Sequence, residues 1–318
     1  MKIVGLMAAR NEEWCLGLTA RAALMWLDEL VILDHASTDG TSKIIDEVSH
    51  ETERVSRIAV RNPLWEEMKH RQMMLDIARD RKATHICYID ADEILTGDLL
   101  RTELGRINIR HMFRSIPPAS ILEIPWLALR GSIGQVHVSG PWADSQVASF
   151  GFEDSPKLHW SSAERGGYDF HHRAPMGKPL IPWQPLGGAN PLVTQKRESG
   201  LMHLQFVSGR RLRAKQYLYQ LTERLRWPDR EPVRVVRERY SLAVYGQRTP
   251  SPLPPTGLGP VPSMESWWGP YQHLMKYFHP HMEPWQLAEC ERIRRENPGI
   301  EKDLDDFGLF SDPFHSRV

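Results

Sequence analysis

Short apolar runs alternate with longer amphipathic stretches over the first hundred residues of this chain. The runs Ile3–Met7, Leu30–Leu33, Ile58–Val60 and His85–Ile89 have the length and apolar content of strands that are buried on both faces of a sheet. The intervening stretches carry apolar residues at helical spacing. This alternation is typical of parallel α/β units, so the sequence predicts an α/β fold.

Three strongly polar turns follow predicted strands, at Arg10–Glu12, Asp34–Thr41 and Asp90–Glu93. Ligands of open parallel sheets bind beyond the carboxyl ends of the strands, where loops and helix N-termini gather. We therefore expect the three turns to form one functional site. Asn11 is predicted to cap the helix that follows the first strand.

The composition restricts the class of protein. A chain of 318 residues with 41% hydrophobic and 25% charged residues is typical of a soluble protein of one or two domains. Lys plus Arg and Asp plus Glu both number 40, so no net charge favours nucleic acid or membrane. Neither a membrane-spanning run nor a secretion signal is predicted, and Cys15, Cys87 and Cys290 are too scattered for a disulfide framework or a zinc site. We expect a cytoplasmic protein.

The remainder of the chain has a different pattern. Short strands are predicted between residues 115 and 205, followed by a helix over residues 209–226. Seven of the 24 prolines lie within Pro250–Pro270, which predicts a loop or extended strap there. A last helix is predicted over Trp285–Glu296. We accordingly divide the chain into a domain over 1–205 and a helical, proline-rich region over 206–318 that packs back on it.

Asp90 and Asp92 flank a single residue at the end of an apolar strand. Alternate side chains of a strand share a face, so both carboxylates can point the same way. A hard divalent cation such as Mg²⁺ or Mn²⁺ neutralises such a pair and fills its other positions with phosphate oxygens and water. The alternative is a solvated acidic turn without a ligand.

Four segments, in matching order over about a third of the chain, resemble motifs of the inverting family 2 glycosyltransferases. Ile3–Glu12 is similar to the first strand and its "xxxNE" turn, Val31–Thr41 to "hhhDxxStDgT", and Tyr88–Glu93 to "hhDaDE". Arg71 matches the arginine that opens the helix before the metal-binding strand. The resemblance implies a GT-A (nucleotide-diphospho-sugar transferase) fold: a Rossmann-like mixed sheet with helices on both faces, plus a C-terminal helical region. Residues 1–100 would be the nucleotide-sugar half and 101–205 the acceptor half.

The resemblance also implies roles for individual residues. The nucleotide pocket would be lined by Ala8, Arg10 and Glu12, with Asp34 on the base or ribose, Arg71 on the base or diphosphate, Asp90 and Ala91 on the ribose or metal, and Asp92 directly on the metal. Arg10 and Arg71 have an alternative as solvated surface arginines. Many members of the family have two consecutive acids after the second strand, whereas here Asp34 is followed by His35. The resemblance therefore does not identify which nucleotide base is bound.

The general base of the family comes from the middle of the chain. Phe152–Asp154 faintly resembles an "ED" motif, and Asp169–Pro175 faintly resembles "iHExP" without its Glu. Asp154 is therefore the first candidate for the base that deprotonates the acceptor, followed by His171 and His172. Each of them has an alternative as a hydrogen-bonded loop residue.

Two further ligand residues are implied downstream. His203 lies in an apolar run before the helix over 209–226, where the family has a histidine that reaches back to the metal; a lone core histidine is the alternative. Lys215, one helical turn from Arg211 and from Tyr219, could close over the diphosphate, or belong to a solvated basic face.

The predicted activity is transfer of a sugar from a nucleoside-diphosphate sugar, UDP- or GDP-linked, to an acceptor hydroxyl with Mn²⁺ or Mg²⁺ as cofactor. Residues 210–239 contain ten Arg or Lys against four Asp or Glu, a local charge of about +6 that could attract a polyanion. The stretch faintly resembles phage-encoded glycosyltransferases. The acceptor stays open between a glycan, a protein and a hydroxymethylated DNA base.

Two other functions compete with this prediction. A nucleotidyltransferase usually has a Gly-rich phosphate loop after its first strand, but Ala8–Glu13 contains no Gly. The second alternative is a non-catalytic module that has the same fold and binds a sugar nucleotide but does not transfer the sugar. A dinucleotide-dependent oxidoreductase is disfavoured, because no G-x-G-x-x-G follows a predicted strand.

Overall fold

The computed structural model describes residues 1–101, 108–140, 146–161, 173–185, 198–249, 251 and 257–310. The chain forms two compact units. The first comprises Met1–Trp126, Ser145–His203 and Pro262–His279, and the second comprises Leu127–Asp144, Leu204–Val261 and Pro280–Val318.

The secondary structure alternates between strands and helices at first and is mainly helical later. The strands are β1 (Ile3–Ala9), β2 (Glu29–His35), β3 (Val55–Val60), β4 (His85–Tyr88), β5 (Glu93–Leu95), β6 (Ser120–Ala128), β7 (Gln135–His137), β8 (Val147–Glu153), β9 (Ile181–Trp183), β10 (Leu201–His203) and β11 (Leu258–Pro260). The helices are α1 (Leu16–Leu24), α2 (Thr41–Glu51), α3 (Glu67–Asp80), α4 (Ile109–Arg114), α5 (Gly209–Arg226), α6 (Val233–Tyr245), α7 (Met264–Trp268) and α8 (Trp285–Glu296).

One mixed sheet organises the first unit. Its strand order is β3-β2-β1-β4-β8-β6-β10-β5, with β9 on β6. The pairs β3–β2, β2–β1 and β1–β4 are parallel, whereas β4–β8 and β8–β6 are antiparallel. The register pairs Ala9 with Asp34, so β1 and β2 end together. The predicted α/β class with a mixed sheet is confirmed.

Helices cover both faces of the parallel half of the sheet. One core cluster joins Leu16 of α1 to Ile32 of β2, and the other joins Leu75 of α3 to Leu33 of the same strand. Successive strand residues point to opposite faces, so neighbours in β2 belong to different clusters. The apolar runs of β1, β2 and β4 are continuous because these strands are buried from both sides, whereas β3, at the edge of the sheet, is only partly buried.

The units differ from the predicted division of the chain. The switch between units at His203 lies near the predicted boundary at 205, but Pro262–His279 belongs to the first unit. There, Phe278 packs against Trp14 of the segment before α1 with ring centroids 5.7 Å apart. The stretch Pro250–Pro270 was predicted to be a loop or extended strap, yet it contains α7 and the first two residues of a 3₁₀ helix over Gly269–Tyr277. These helices are too short for sequence periodicity to reveal.

The second unit is mainly helical. The predicted helices over 209–226 and 285–296 have the observed bounds of α5 and α8. Helix α6 was not predicted; Glu223 of α5 accepts hydrogen bonds from Arg239 and Tyr240 of α6 at 2.5 and 2.6 Å. Part of the positive charge of residues 210–239 is thus paired internally, also by an Arg210–Glu283 ion pair. Within the described residues, every helix is too short or too polar to traverse a bilayer.

Replacing Gly151 by Ala tests the packing of α4 on the sheet. Gly151 of β8 lies between β4 and β6, and an added Cβ would stand 2.4 Å from ring atoms of Phe113 and 3.1 Å from the Ile86 carbonyl. We expect Gly151→Ala to lower the free energy of unfolding by about 1–3 kcal/mol, measured by urea denaturation. With Phe113→Leu in the same chain, the loss should be smaller than the sum of the single losses. Strict additivity would contradict this packing.

Candidate active site

The turns after β1 and β2 are tied together by Asn11. Its φ of 54° places it in the left-handed region, which Asn tolerates better than most residues. The Asn11 side-chain oxygen accepts a hydrogen bond from the Thr38 amide at 2.6 Å, and the Asn11 amide donates to Ser37 Oγ at 3.1 Å. Asn11 is therefore not the helix cap that the sequence predicted, since α1 begins five residues later at Leu16. It links two strand ends instead.

Asp34 ends β2 within a closed hydrogen-bond network. Its carboxylate accepts from Ser42 Oγ at 2.5 Å, from the Ser37 amide at 3.3 Å and from Arg57 at 2.7 Å. Burial alone would raise the pKa of Asp34, but the hydrogen bonds from Ser42 and Ser37 and the charge of Arg57 outweigh it and lower that pKa. The group predicted to contact the base or ribose is thus an ionised carboxylate in a fixed position.

Three aromatic rings meet beside Asp34. The ring centroids of His35, Trp65 and His70 lie 4.7–5.0 Å from one another. Burial, followed by the nearby charge of Arg10, lowers the pKa of His35 to about 4, so its imidazole is neutral at physiological pH. Arg10 itself donates to the carbonyl of Pro63 at 3.0 Å. Sequence reasoning found His35 only as a departure from a motif and did not identify Trp65 or His70.

Helix α1 fixes the backbone between the two aspartates. The Ala91 carbonyl accepts hydrogen bonds from Thr19 Oγ1 at 2.7 Å and from Cys15 Sγ at 3.3 Å. Just before the helix, Glu12 accepts from Trp14 Nε1 at 2.6 Å. The first polar turn and the acidic turn are therefore joined through the start of α1, as expected for turns at the carboxyl ends of adjacent parallel strands.

Glu93 is the centre of the acidic turn. It is fully buried; its Oε2 accepts from the Asp90 amide at 2.9 Å, and its Oε1 accepts from Trp126 Nε1 at 2.8 Å and from Arg173 Nη2 at 2.5 Å. The same Nη2 donates to Asp90 Oδ2 at 2.5 Å. Sequence reasoning assigned no role to Glu93, Trp126 or Arg173, although Glu93 belongs to the quoted "hhDaDE" segment.

The antiparallel pairing of β5 with β10 brings His203 to Asp92. His203 is paired with Glu93 in the sheet register, and its Nε2 lies 3.2 Å from Asp92 Oδ2. Both side chains are more than 90% buried. The Trp126 ring packs on His203 at 4.3 Å between centroids, which holds the imidazole in position. Two of the three predicted metal ligands, 111 residues apart in the sequence, are thus adjacent.

This pair fits a hard divalent cation that completes its coordination with substrate. Among the described residues no group of three or more His, Cys, Asp or Glu could hold a metal ion. One carboxylate and one imidazole leave most positions of an octahedral ion for phosphate oxygens and water, which is how Mg²⁺ usually binds next to a nucleotide. The third predicted ligand, Asp90, is instead engaged by Arg173.

Arg71 packs over the aromatic ring of Tyr88. Its guanidinium carbon is 3.6 Å from the centroid of Tyr88, in the last position of β4, and its Nε donates to Glu67 at 2.8 Å. Arg71 is 4% exposed, so the alternative of a solvated surface arginine is excluded. Ala8 lies one residue before the end of β1, paired with Leu33.

The structure does not bring Asp154 to these residues. Its carboxylate forms a two-pronged ion pair with Arg79, at 2.8 and 2.9 Å. The adjacent Glu153 is paired with His85 at the start of β4. Asp90 follows His85 by five residues, so Asp154 and Asp90 lie near opposite ends of β4, roughly 16 Å apart along extended chain. His171 and His172 lie outside the described residues. Lys215 lies on α5 in the second unit.

Comparison with known proteins gives weak likenesses only. No family model matches the chain, and no curated protein matches it. Among solved structures, residues 1–349 of S. aureus TarS match 30% of this chain and 28% of that one, at 18% identity and a TM-score of 0.27. GalNAc-T7 with UDP, GalNAc and Mn²⁺ matches 30% of this chain and 18% of that one, at 19% identity and a TM-score of 0.25. The mannosyltransferase PcManGT from Pyrobaculum calidifontis, with GDP-Man and Mn²⁺, matches 93% of this chain and 74% of that one, at 12% identity and a TM-score of 0.36.

The neutral state of His35 makes stability depend on pH. Because its pKa is about 4 in the folded protein and about 6.5 when unfolded, only the unfolded chain binds this proton between those values. The stabilising contribution is present above pH 6.5 and is lost as the pH falls towards 4. We expect the wild type to lose about 2 kcal/mol more than His35→Phe between pH 7 and pH 5, measured by urea denaturation. Equal losses would show that His35 takes up its proton in the folded state.

Proposed function

We propose that this chain is a metal-dependent glycosyltransferase that transfers a sugar, with inversion, from a nucleoside-diphosphate sugar to an acceptor hydroxyl. The observation that carries the proposal is the contact of His203 with Asp92 at the end of the parallel sheet. It joins a residue of the acidic turn to one far downstream at the edge where ligands of such sheets bind. The neighbouring turns of Asp34 and Arg10 supply polar groups on the same edge.

Asp92 and His203 are the proposed metal ligands. A bound Mn²⁺ or Mg²⁺ would stabilise the negative charge that develops on the departing diphosphate. The protein's part is to hold both ligands in place before the substrate arrives. Trp126 does so for His203 by ring packing, and Glu93 does so for the turn by accepting the Asp90 amide. This preorganisation is what makes such electrostatic stabilisation effective.

The end of β2 is the proposed site for the nucleoside. Asp34 offers an ionised carboxylate to ribose or base, and the charge of Arg10 lies near the adjacent His35. Trp65 packs on the buried rings of His35 and His70 and is the partly exposed member of the three, so its ring is the proposed surface for a planar base. The neutral His35 imidazole has one N–H, which donates through Nε2 to the Leu64 carbonyl at 3.2 Å and fixes the ring beside this site. UDP- and GDP-linked sugars are both proposed donors.

The acceptor hydroxyl needs a general base on the face of the sugar opposite the diphosphate. We retain His171 and His172 as the proposed bases, because the next residue in the sequence, Arg173, contacts Asp90. The placement of Asp154 in its ion pair with Arg79 does not support that role. The acceptor itself is proposed as a glycan, a protein or a hydroxymethylated DNA base, with the basic stretch 210–239 as a candidate contact.

Substitution of the two metal ligands tests the proposal. We expect the full chain to hydrolyse or transfer sugar from at least one UDP- or GDP-sugar in the presence of Mn²⁺, and to lose this turnover in EDTA. Asp92→Asn and His203→Gln should each lower kcat/KM by about 100-fold, because each removes a ligand of the proposed cation. Turnover is measured by release of UDP or GDP.

Glu51→Gln is the matched control, since it makes the same carboxylate-to-amide change at the end of α2, in an ion pair with Arg21 of α1. It should retain wild-type turnover. Metal-dependent binding without any sugar release would indicate a binding module instead. Release of pyrophosphate from a nucleoside triphosphate would indicate a nucleotidyltransferase. Unchanged turnover in Asp92→Asn would contradict the proposed site directly.

A further inference from the structure

Two arginines share one aromatic ring beside the acidic turn. The guanidinium carbon of Arg71 lies 3.6 Å from the centroid of Tyr88, and that of Arg173 lies 5.7 Å from the same centroid. Both distances are within the range of a cation–π interaction. Tyr88 is the last residue of β4 and directly precedes the turn that contains Asp90. The two cations are therefore brought together at the end of the strand that carries the proposed metal site.

Each of these arginines keeps one buried nitrogen that has no hydrogen-bond partner in the described part of the chain. For Arg71 this is Nη1, while its Nε and Nη2 donate to Glu67. For Arg173 it is also Nη1, while its Nη2 donates to Asp90 and Glu93. An unsatisfied buried donor on a charged group is unfavourable. Two of them at one ring point to an acceptor that the described residues do not supply.

The chemistry of that acceptor follows from the donors. A guanidinium presents its N–H groups in a rigid planar fork that matches the oxygens of phosphate or carboxylate groups. The side chain of Asp90, which Arg173 contacts, is 37% exposed, whereas the side chains of Arg173 and Arg71 are 19% and 5% exposed. Two separate arginines suit a ligand with several oxygens spread over two groups.

We propose that Arg71 and Arg173 form a clamp for the two phosphates of a nucleoside diphosphate. The inference rests on the proposed function in that it uses the same donor class, and it adds Arg173 as a donor-binding residue. Each Nη1 donates to a phosphate oxygen, while the contacts to Glu67, Asp90 and Glu93 hold the two guanidinium groups in place. The clamp needs no metal, so it provides a part of diphosphate binding that persists without Mn²⁺.

Calorimetric titration of the full chain in EDTA isolates this part of the binding. The probes are UDP, GDP and inorganic pyrophosphate, with uridine and guanosine as ligands that lack phosphate. We expect Arg173→Gln and Arg71→Gln each to raise the Kd of the diphosphates and pyrophosphate by about 10- to 100-fold. Nucleoside binding should stay unchanged. Arg173→Lys, which keeps the charge but loses the fork, should give an intermediate value.

Arg79→Gln is the matched control. It breaks the ion pair with Asp154 at the other end of β4 and should bind all probes as the wild type does. Thermal unfolding of each variant verifies that it is folded. If the folded Arg173→Gln chain binds pyrophosphate and both diphosphates like the wild type, the clamp is overturned. An equal loss in nucleoside binding overturns it as well, because the effect would not lie at the phosphates.

The two proposals fail in distinguishable ways. A wild-type chain that transfers sugar with Mn²⁺, together with an Arg173→Gln chain of unchanged diphosphate affinity, would overturn the clamp alone. A wild-type chain that binds diphosphates through both arginines but never releases sugar would overturn the glycosyltransferase activity and support the clamp. Failure of UDP, GDP and pyrophosphate to bind the wild type under any condition would overturn both.

Discussion

A buried carboxylate with three donors is the constraint on which the site depends. Glu93 has no exposed surface, and a charge in that position is tolerable only if hydrogen bonds replace its water. Its donors come from three separate places: the amide of Asp90, the indole of Trp126 and the guanidinium of Arg173. Satisfying this one group therefore forces three distant segments to converge. The proposed metal ligands and the proposed clamp lie immediately around that point of convergence.

The parallel half of the fold could be predicted from the sequence because its signals are local. Each buried strand is one continuous apolar run, and each of the helices α1, α2 and α3 follows such a run after a polar turn. Asn11 shows where local reasoning stops. Its position after a strand and before acidic residues is that of a helix cap, but its side chain satisfies the turn after β2. Propensity cannot reveal a partner that lies in another loop.

The second unit and the edge of the sheet were less accessible to sequence reasoning. In the second unit, α5 and α8 were predicted from their apolar periodicity, whereas α6 was missed although its 13 residues exceed the 12 of α8. In the first unit, α4 and α7 have five or six residues and carry little periodicity. For the candidate site, the acidic turn was visible as a motif. The contact of His203 with Asp92 depends on strand pairing over 111 residues, and the contact of Arg173 with Glu93 spans 80. No spacing in the sequence encodes such distances.

The attachment of α1 to Ala91 has a mechanical consequence. The segment that ends at His279 packs against this helix. The His279 amide donates to the Trp14 carbonyl at 2.7 Å, just before the helix begins, and the guanidinium carbon of Arg21 lies 3.9 Å from the ring centroid of Tyr277. A stretch near the chain's far end thus braces the same helix whose Thr19 steadies the peptide between both aspartates. A change that displaced this segment would be transmitted through α1 to the Ala91 peptide, and so to the proposed site, without contacting Asp90 or Asp92 directly.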